Sequence, residues 1–434
     1  MISFVHPSSA RLAALLTLMM CGLFSWSQLQ ADEAKTPSST AIPVRVDVVT
    51  GMLRDGKPYF VKGAGGDKNM KELAARGANS LRTWSTNGLA EILNEAQSLG
   101  LTVSAGIWLE SECSWFSYNN PEHCAKQAER VRKEVLLYRQ HPALLAWGIG
   151  NEVEGDGSNT AFWKQLDRLA VLVKEFDPAH PTFTAVAGAN PQKINGLMKH
   201  VPHLDFLGIN TYGGVFGVRQ HLEKMGWTRP WLLTEWGPRG FWESKKSASN
   251  APLEQTSTEK ADMMRSAYTK VIAPTGGCLG SYVFVWGWKF EATATWFGIF
   301  TREGETTAVA DAMQEAWSGK APINRAPAIG QLEGVPKQPV APETRFEASA
   351  KATDADPLTW HWLVLPEKQD RALNSNKSMP DSVDETIIAS KGPIVTIQAP
   401  RKPGNYRLYV WVKDSHGHAA TANMPFDVAA PSPQ

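Results

Sequence analysis

Two carboxylates stand where a chain could use them together. Glu152 closes the apolar stretch AWGIGNEVEG, residues 146–155, directly after Asn151, and Glu235 closes PWLLTEWG, residues 230–237. Cleavage of a glycosidic bond needs such a pair: one carboxyl, kept protonated, donates to the leaving oxygen, while the other, ionised, attacks the anomeric carbon or activates water. A lone glutamate at a strand end is ordinarily a solvated group, so neither residue carries this reading by itself. Paired, and with an amide beside one of them, they do.

Something must bring them to one place. Eight apolar runs read as buried strands: 59–66, 78–84, 101–108, 143–152, 182–188, 205–212, 230–237 and 279–288. They are near-continuously apolar, as strands of a parallel sheet are. Helical patterns lie between them; in 87–100, Leu89, Ile92, Leu93, Ala96 and Leu99 share one face and Gly100 supplies the stop. Eight strand-and-helix units over residues 45–318 predict a (β/α)8 TIM barrel, an α/β fold whose chemistry sits at the C-terminal ends of the strands. No strand runs into a Gly-rich phosphate fingerprint, which argues against an open doubly wound sheet.

The strand ends then give the candidate site. The second supplies Arg82 and Trp84, the fourth Asn151 and Glu152, the sixth Asn210 and Tyr212, the seventh Glu235 and Trp236, and the eighth Trp286 and Trp288. Thirteen of the 17 tryptophans lie between Trp84 and Trp317. Most tryptophans fill cores, but sugars offer flat C–H faces that stack on indoles, so Trp84, Trp236 and Trp286 are expected to face substrate, with Trp108 and Trp115 behind them.

The quoted motifs, with RDGKPYFVKGAGG, GANSLRTW and HPALLAWGIGNEVEG, resemble the catalytic barrel of glycoside hydrolase family 2, within the clan A retaining hydrolases. The resemblance covers 51 to about 317. It implies retaining hydrolysis of β-glycosides by double displacement, with Glu152 as acid/base and Glu235 as nucleophile. It further implies that Asn151 holds the sugar 2-hydroxyl, that Arg82 keeps Glu235 charged, that Tyr212 donates to the nucleophile and that Trp286 forms the subsite floor. Two departures stand out: the family's usual N-terminal β-sandwich domains do not appear ahead of the barrel, and LRTWSTN lacks the His that often follows the Arg. The Gly-Asn-Glu-Val string also resembles β-1,3-glucanosyltransferases of the same clan, which leaves transglycosylation on a β-glucan open. A non-catalytic polysaccharide-binding protein is the third alternative.

The rest of the chain sets bounds. A formal net charge of +1, from 44 basic and 43 acidic residues, excludes a global field for nucleic acid. Arg11 ahead of LAALLTLMMCGLFSW, with a polar turn after it and small Ala31, describes a signal peptide over 1–31. Its apolar run falls short of the roughly 20 residues that span a bilayer. The expectation is therefore export to a periplasmic or extracellular space, with no membrane partner after cleavage. In such a compartment Cys113 and Cys124 could form a disulfide across the loop ESECSWFSYNNPEHC, and Cys278 is expected to be buried.

Beyond the barrel, five prolines between Ala321 and Pro342 mark a linker or first sandwich strand over 319–344. Period-two alternation in RFEASAKA and NYRLYVWVKD predicts a small immunoglobulin-like or PKD-like β-sandwich over 326–430, with Trp360, Trp362 and Trp411 in its core. Asp354 and Asp356 are too few for a calcium site, so neither metal nor cofactor is expected. The substrate expected is a β-linked oligo- or polysaccharide; the sequence leaves the oligomeric state open.

Overall fold

A computed structural model describes residues 41–274, 276–367 and 379–430. The expected signal peptide, residues 1–31, lies outside the described residues.

The described chain begins with a small antiparallel sheet: β1 (Val44–Asp47), β2 (Gly51–Arg54) and β3 (Lys57–Pro58). Asp55 and Gly56 both have positive φ, the backbone a tight two-residue hairpin demands. Val44 and Met52 of this sheet are buried among Val61, Phe183, Phe206, Leu232 and Leu279, each of which lies in the first residues of a barrel strand. The sheet therefore closes the N-terminal end of the barrel, opposite the end where the strands finish.

The barrel strands are β4 (Val61–Gly65), β5 (Ser80–Arg82), β6 (Thr102–Ile107), β7 (Leu144–Asn151), β8 (Thr182–Ala187), β9 (Phe206–Asn210), β10 (Trp231–Trp236) and β11 (Cys278–Val283). All neighbours are parallel, and β11 pairs with β4 to close the ring. Burial runs unbroken along most of them, the mark of strands covered by helices outside and side chains inside. Each of the eight apolar runs coincides with one strand, β11 beginning one residue ahead of its run, so the (β/α)8 fold is observed as expected. Tyr282 fills the axis, its hydroxyl 2.7 Å from both Ser80 and Ser104, and Gly63 makes room for it: a Cβ there would stand 2.6 Å from the Tyr282 ring.

The chain then forms a β-sandwich. One sheet holds Thr359–Pro366, Gly404–Lys413 and Ala419–Val428; the other holds Arg345–Ser349, Ile394–Gln398 and Ile387–Lys391. Val364, Leu408 and Phe426 from the first meet Val395 and Ile397 from the second in one core. Trp362 belongs to it, with Trp360 stacked alongside, but Trp411 does not. Trp411 and Tyr409 lie on the other face of their sheet, packed with Phe290 and Ala294 of the barrel, because side chains alternate across a strand and this sheet is covered on both sides. The Pro-rich stretch is held down as well: Ala326 N–H donates to Asp311 and Ile329 N–H to Thr258.

Candidate active site

The strand ends bring eight polar side chains into one network. Glu235 Oε1 accepts from Trp84 Nε1 at 2.6 Å and from Arg82 Nη1 at 3.1 Å, and its Oε2 accepts from the Tyr212 hydroxyl at 3.1 Å. Arg82, itself buried, also donates from Nη1 to the Thr234 carbonyl at 2.8 Å and from Nη2 to Asn151 Oδ1 at 2.7 Å. Burial pulls its pKa below the usual guanidinium value while the Glu235 charge works to hold the proton. The Tyr212 phenol is pushed well above its ordinary value, by burial first and then by Glu235, so it remains a donor.

Glu152 is held differently. Strict alternation along β7 would send Asn151 and Glu152 to opposite faces. The chain breaks that alternation: the pairing of β7 with β8 shifts register between Gly148 and Asn151, and Glu152 takes φ 55°, the left-handed region that a residue with a Cβ seldom occupies. Its N–H is fixed to the Ala185 carbonyl. Both side chains then meet the same amide: Asn210 Nδ2 donates to Glu152 Oε1 at 2.7 Å and to Asn151 Oδ1 at 3.1 Å. That is the single side-chain donor on Glu152 among the described residues, against three on Glu235. Burial, and next the charge of Glu235, raise the Glu152 pKa above the usual carboxylate value.

Thr234, which no pattern in the sequence singled out, sets this geometry. Its hydroxyl donates to Asn210 Oδ1 at 2.7 Å, so the Asn210 amide can only turn its Nδ2 toward Asn151 and Glu152. With Asn151 Oδ1 occupied by Arg82 and Asn210, the Asn151 Nδ2 is the donor left for a ligand. Glu154 was likewise not foreseen. It is buried against Lys193 at 2.8 Å and takes the Ala187 N–H, tying the loop after β7 to the end of β8.

Trp84 enters the network as a donor to Glu235, but two tryptophans stay out of it. Trp236 is fully buried and packs toward Tyr268. Glu235 faces the cavity, so its neighbour on β10 points outward to the helix layer. Trp286 is 1% exposed, donates to the Asn69 carbonyl and packs on Phe300 and Trp317; it follows β11 into the core instead of flooring the cavity. The wall beside Tyr212 is made by Phe284 and Phe297, with centroids 6.0 and 5.1 Å from its ring. Trp108 and Trp115 are exposed on the segment after β6.

The Cys113–Cys124 disulfide is not formed; both are free thiols. Cys124 lies on the inner face of the helix Pro121–Tyr138 and directs its sulfur to the Tyr118 carbonyl, whereas Cys113 is exposed in a bridge with Phe116. Cys278 is buried, as expected. Among the described residues, Asp356, Asp414 and His416 bring ligand atoms within 4.8 Å of one another on the sandwich, yet Asp414 is already taken by His418 and by two backbone N–H groups, and Asp356 by Asn324.

A closed parallel barrel that gathers two glutamates at its strand ends, one buried with three donors and the other more open with one, has the architecture of a glycoside hydrolase barrel. The family comparison agrees: the TIM barrel domain of glycosyl hydrolases family 2 matches residues 69–295, just over half of the chain, and the chain belongs to that family. Among solved structures, it resembles the β-D-glucuronidase of Dictyoglomus thermophilum (TM-score 0.51, 20% identity, 65% of this chain and 54% of that one). It also resembles a β-glucuronidase of Bacteroides uniformis (0.50, 17%, 89% and 48%) and a β-galacturonidase of Eisenbergiella tayi bound to galacturonate (0.50, 16%, 65% and 54%). The chain spans about half the length of these proteins. At such identities they testify to the fold.

Proposed function

We propose that this chain is a retaining β-glycosidase acting on a neutral β-linked glycan, such as a β-glucan, outside the cytoplasm. The observation that carries the reading is the unequal treatment of two carboxyls in one network: three donors on Glu235, one on Glu152. Environments that differ in this way divide acid from nucleophile.

In this mechanism Glu152, its pKa raised, gives its proton to the glycosidic oxygen while Glu235 attacks the anomeric carbon and forms a glycosyl-enzyme. Glu152, now a carboxylate, takes a proton from water, which attacks the same carbon and releases Glu235. Trp84, Arg82 and Tyr212 fix the Glu235 oxygens throughout. The free Asn151 Nδ2 is suited to a sugar 2-hydroxyl, a bond that strengthens as charge develops on the ring. A neutral sugar is favoured because the two cations touching the site's aromatic rings are already paired, Arg82 with Glu235 and Lys289 with Glu291 at 2.6 Å. A uronate carboxylate would want one of them. Export rests on Arg11 and the apolar run behind it.

Defined β-linked glucans, mannans, galactans and aryl β-glycosides, uronides included, test the reading, with Glu235→Ala as the blank and the product anomer followed by NMR. Release of the β-anomer from a neutral substrate is expected. Full activity in Glu235→Ala, or turnover of uronides alone, would overturn it, and products longer than the substrate would assign transfer.

A further inference from the structure

The loop after β10 carries an indole that neither the two-carboxylate network nor the core uses. Trp242 is 46% exposed, yet it is firmly held. Its ring meets Tyr212 edge-on, with centroids 5.3 Å apart at 90°, and Phe241 at 4.8 Å and 78°. Phe297 stands 6.1 Å away on another side. The indole lies so close over Gly240 that a Cβ there would come within 2.4 Å of it.

The backbone beneath is fastened too. Glu243, the next residue, accepts from Gly240 N–H at 2.8 Å and reaches across to the loop after β9, where Gly213 and Gly214 N–H groups donate to it at 2.8 and 3.2 Å. One carboxylate thus ties the loop after β10 to the loop that bears Tyr212. Three aromatic contacts and this clamp deny Trp242 the freedom of an ordinary surface side chain. Core packing does not explain the arrangement, since nearly half of the indole remains in water. A preordered, half-exposed indole is what a sugar face needs, because its ordering cost is met before the ligand arrives.

Position decides which sugar. Trp242 touches Tyr212, and the Tyr212 hydroxyl touches Glu235. A pyranose whose anomeric carbon lies at Glu235 fills the space over Tyr212, and the unit linked to it comes to the indole. We propose that Trp242 is the platform of a second sugar subsite, which stacks the pyranose neighbouring the one at Glu235. The subsite rests on the β-glycosidase reading and narrows it: the natural substrate is an oligo- or polysaccharide, not a monosaccharide conjugate.

Two measurements test this. The first compares kcat/KM for a β-linked tetrasaccharide with that for an aryl β-monoglycoside of the same sugar, in the wild type, Trp242→Ala and Trp242→Phe. A stacking contact of about 0.5–1.5 kcal/mol predicts that Trp242→Ala lowers the ratio of the two values roughly 2- to 13-fold. The loss should appear in KM, and Trp242→Phe should restore most of it. An unchanged ratio overturns the subsite, whether both activities fall together, as for a mere brace of Tyr212, or neither does. The second measures tetrasaccharide binding by calorimetry in the Glu235→Ala protein with and without Trp242→Ala. Weaker binding without Trp242 supports the subsite even if the wild type turns over neither substrate, in which case the hydrolase reading fails and the platform stands. Equal binding removes the platform.

Discussion

Asn151 and Glu152 are consecutive, yet both side chains accept from one amide, Asn210 Nδ2, at 3.1 and 2.7 Å. An extended strand cannot do this. The left-handed backbone at Glu152 makes it possible, at a cost of order 1–3 kcal/mol for a residue held there. The strain aims the acid: without it Glu152 would leave the cavity that Asn151 faces.

The raised pKa of Glu152 gives the first prediction. Burial and the Glu235 charge favour its protonated form, so the acid is competent below its raised pKa and activity is lost as pH rises through it. The alkaline limb of kcat/KM therefore reports Glu152. In Glu235→Gln the second cause is gone, and NMR titration of the Glu152 carboxyl should find a lower pKa than in the wild type; an equal or higher value would contradict the coupling. Glu152→Gln should lose about 10²- to 10⁴-fold on substrates with poor leaving groups and much less on activated aryl glycosides.

Asn210 and Thr234 act through Glu152. The Asn210 bond lowers the Glu152 pKa, against burial and Glu235. Asn210→Ala removes it and should move the alkaline limb upward. Thr234→Val leaves Asn210 without the partner that orients its amide, so it should move the limb the same way by a smaller amount. A downward shift in either variant would show that Asn210 does not serve Glu152.

Two indoles separate site from scaffold. Trp84→Phe deletes a 2.6 Å donor to the Glu235 carboxylate and should cost roughly 10²-fold in kcat, the scale for one donor to developing charge. The buried Trp236 Nε1 has no partner among the described residues, so Trp236→Phe loses packing alone. It should lower the melting temperature by a few degrees and leave KM unmoved. Steady-state kinetics beside thermal melts would expose a reversed ranking.

How far these residues were legible follows from periodicity. Apolar runs and helical spacing announce eight strands, and a barrel's strand ends then name Arg82, Trp84, Asn151, Asn210, Tyr212 and Glu235 without coordinates. Trp236 and Trp286 were misplaced because the outcome turns on one residue of register, which composition does not record: next to an inward Glu235, an adjacent residue points outward. Thr234 stayed hidden since its part is a contact with Asn210 on another strand. Trp242 stayed hidden because its loop has no period at all. The Cys113–Cys124 pairing failed on direction, since the buried Cys124 sulfur points to the Tyr118 carbonyl while Cys113 stays exposed.

One link between the sandwich and the barrel rim runs through a buried carboxylate. Glu254 is held by Lys260 at 2.5 Å and accepts from Thr293, Thr295 and, from the sandwich, Asn423 at 2.7 Å. Thr293 and Thr295 flank Ala294, whose carbonyl takes the Trp288 indole, and the same segment leads to Phe297 against Tyr212. Burial raises the Glu254 carboxyl, but Lys260 and Thr293 outweigh it, and the net pKa falls below the usual 4.5. With a depressed folded value, the stability this group supplies is complete above pH 4.5 and is lost as pH falls through the folded pKa. Lys260→Met strands the charge in a buried site and should cost about 3–5 kcal/mol at neutral pH, the range for breaking a buried pair. Because the stranded carboxyl is relieved by protonation, the deficit relative to wild type should shrink in acid. Urea melts at neutral and acidic pH check both signs, and a loss under about 1 kcal/mol, as for an exposed pair, would mean that the sandwich is not braced to the catalytic rim through Glu254.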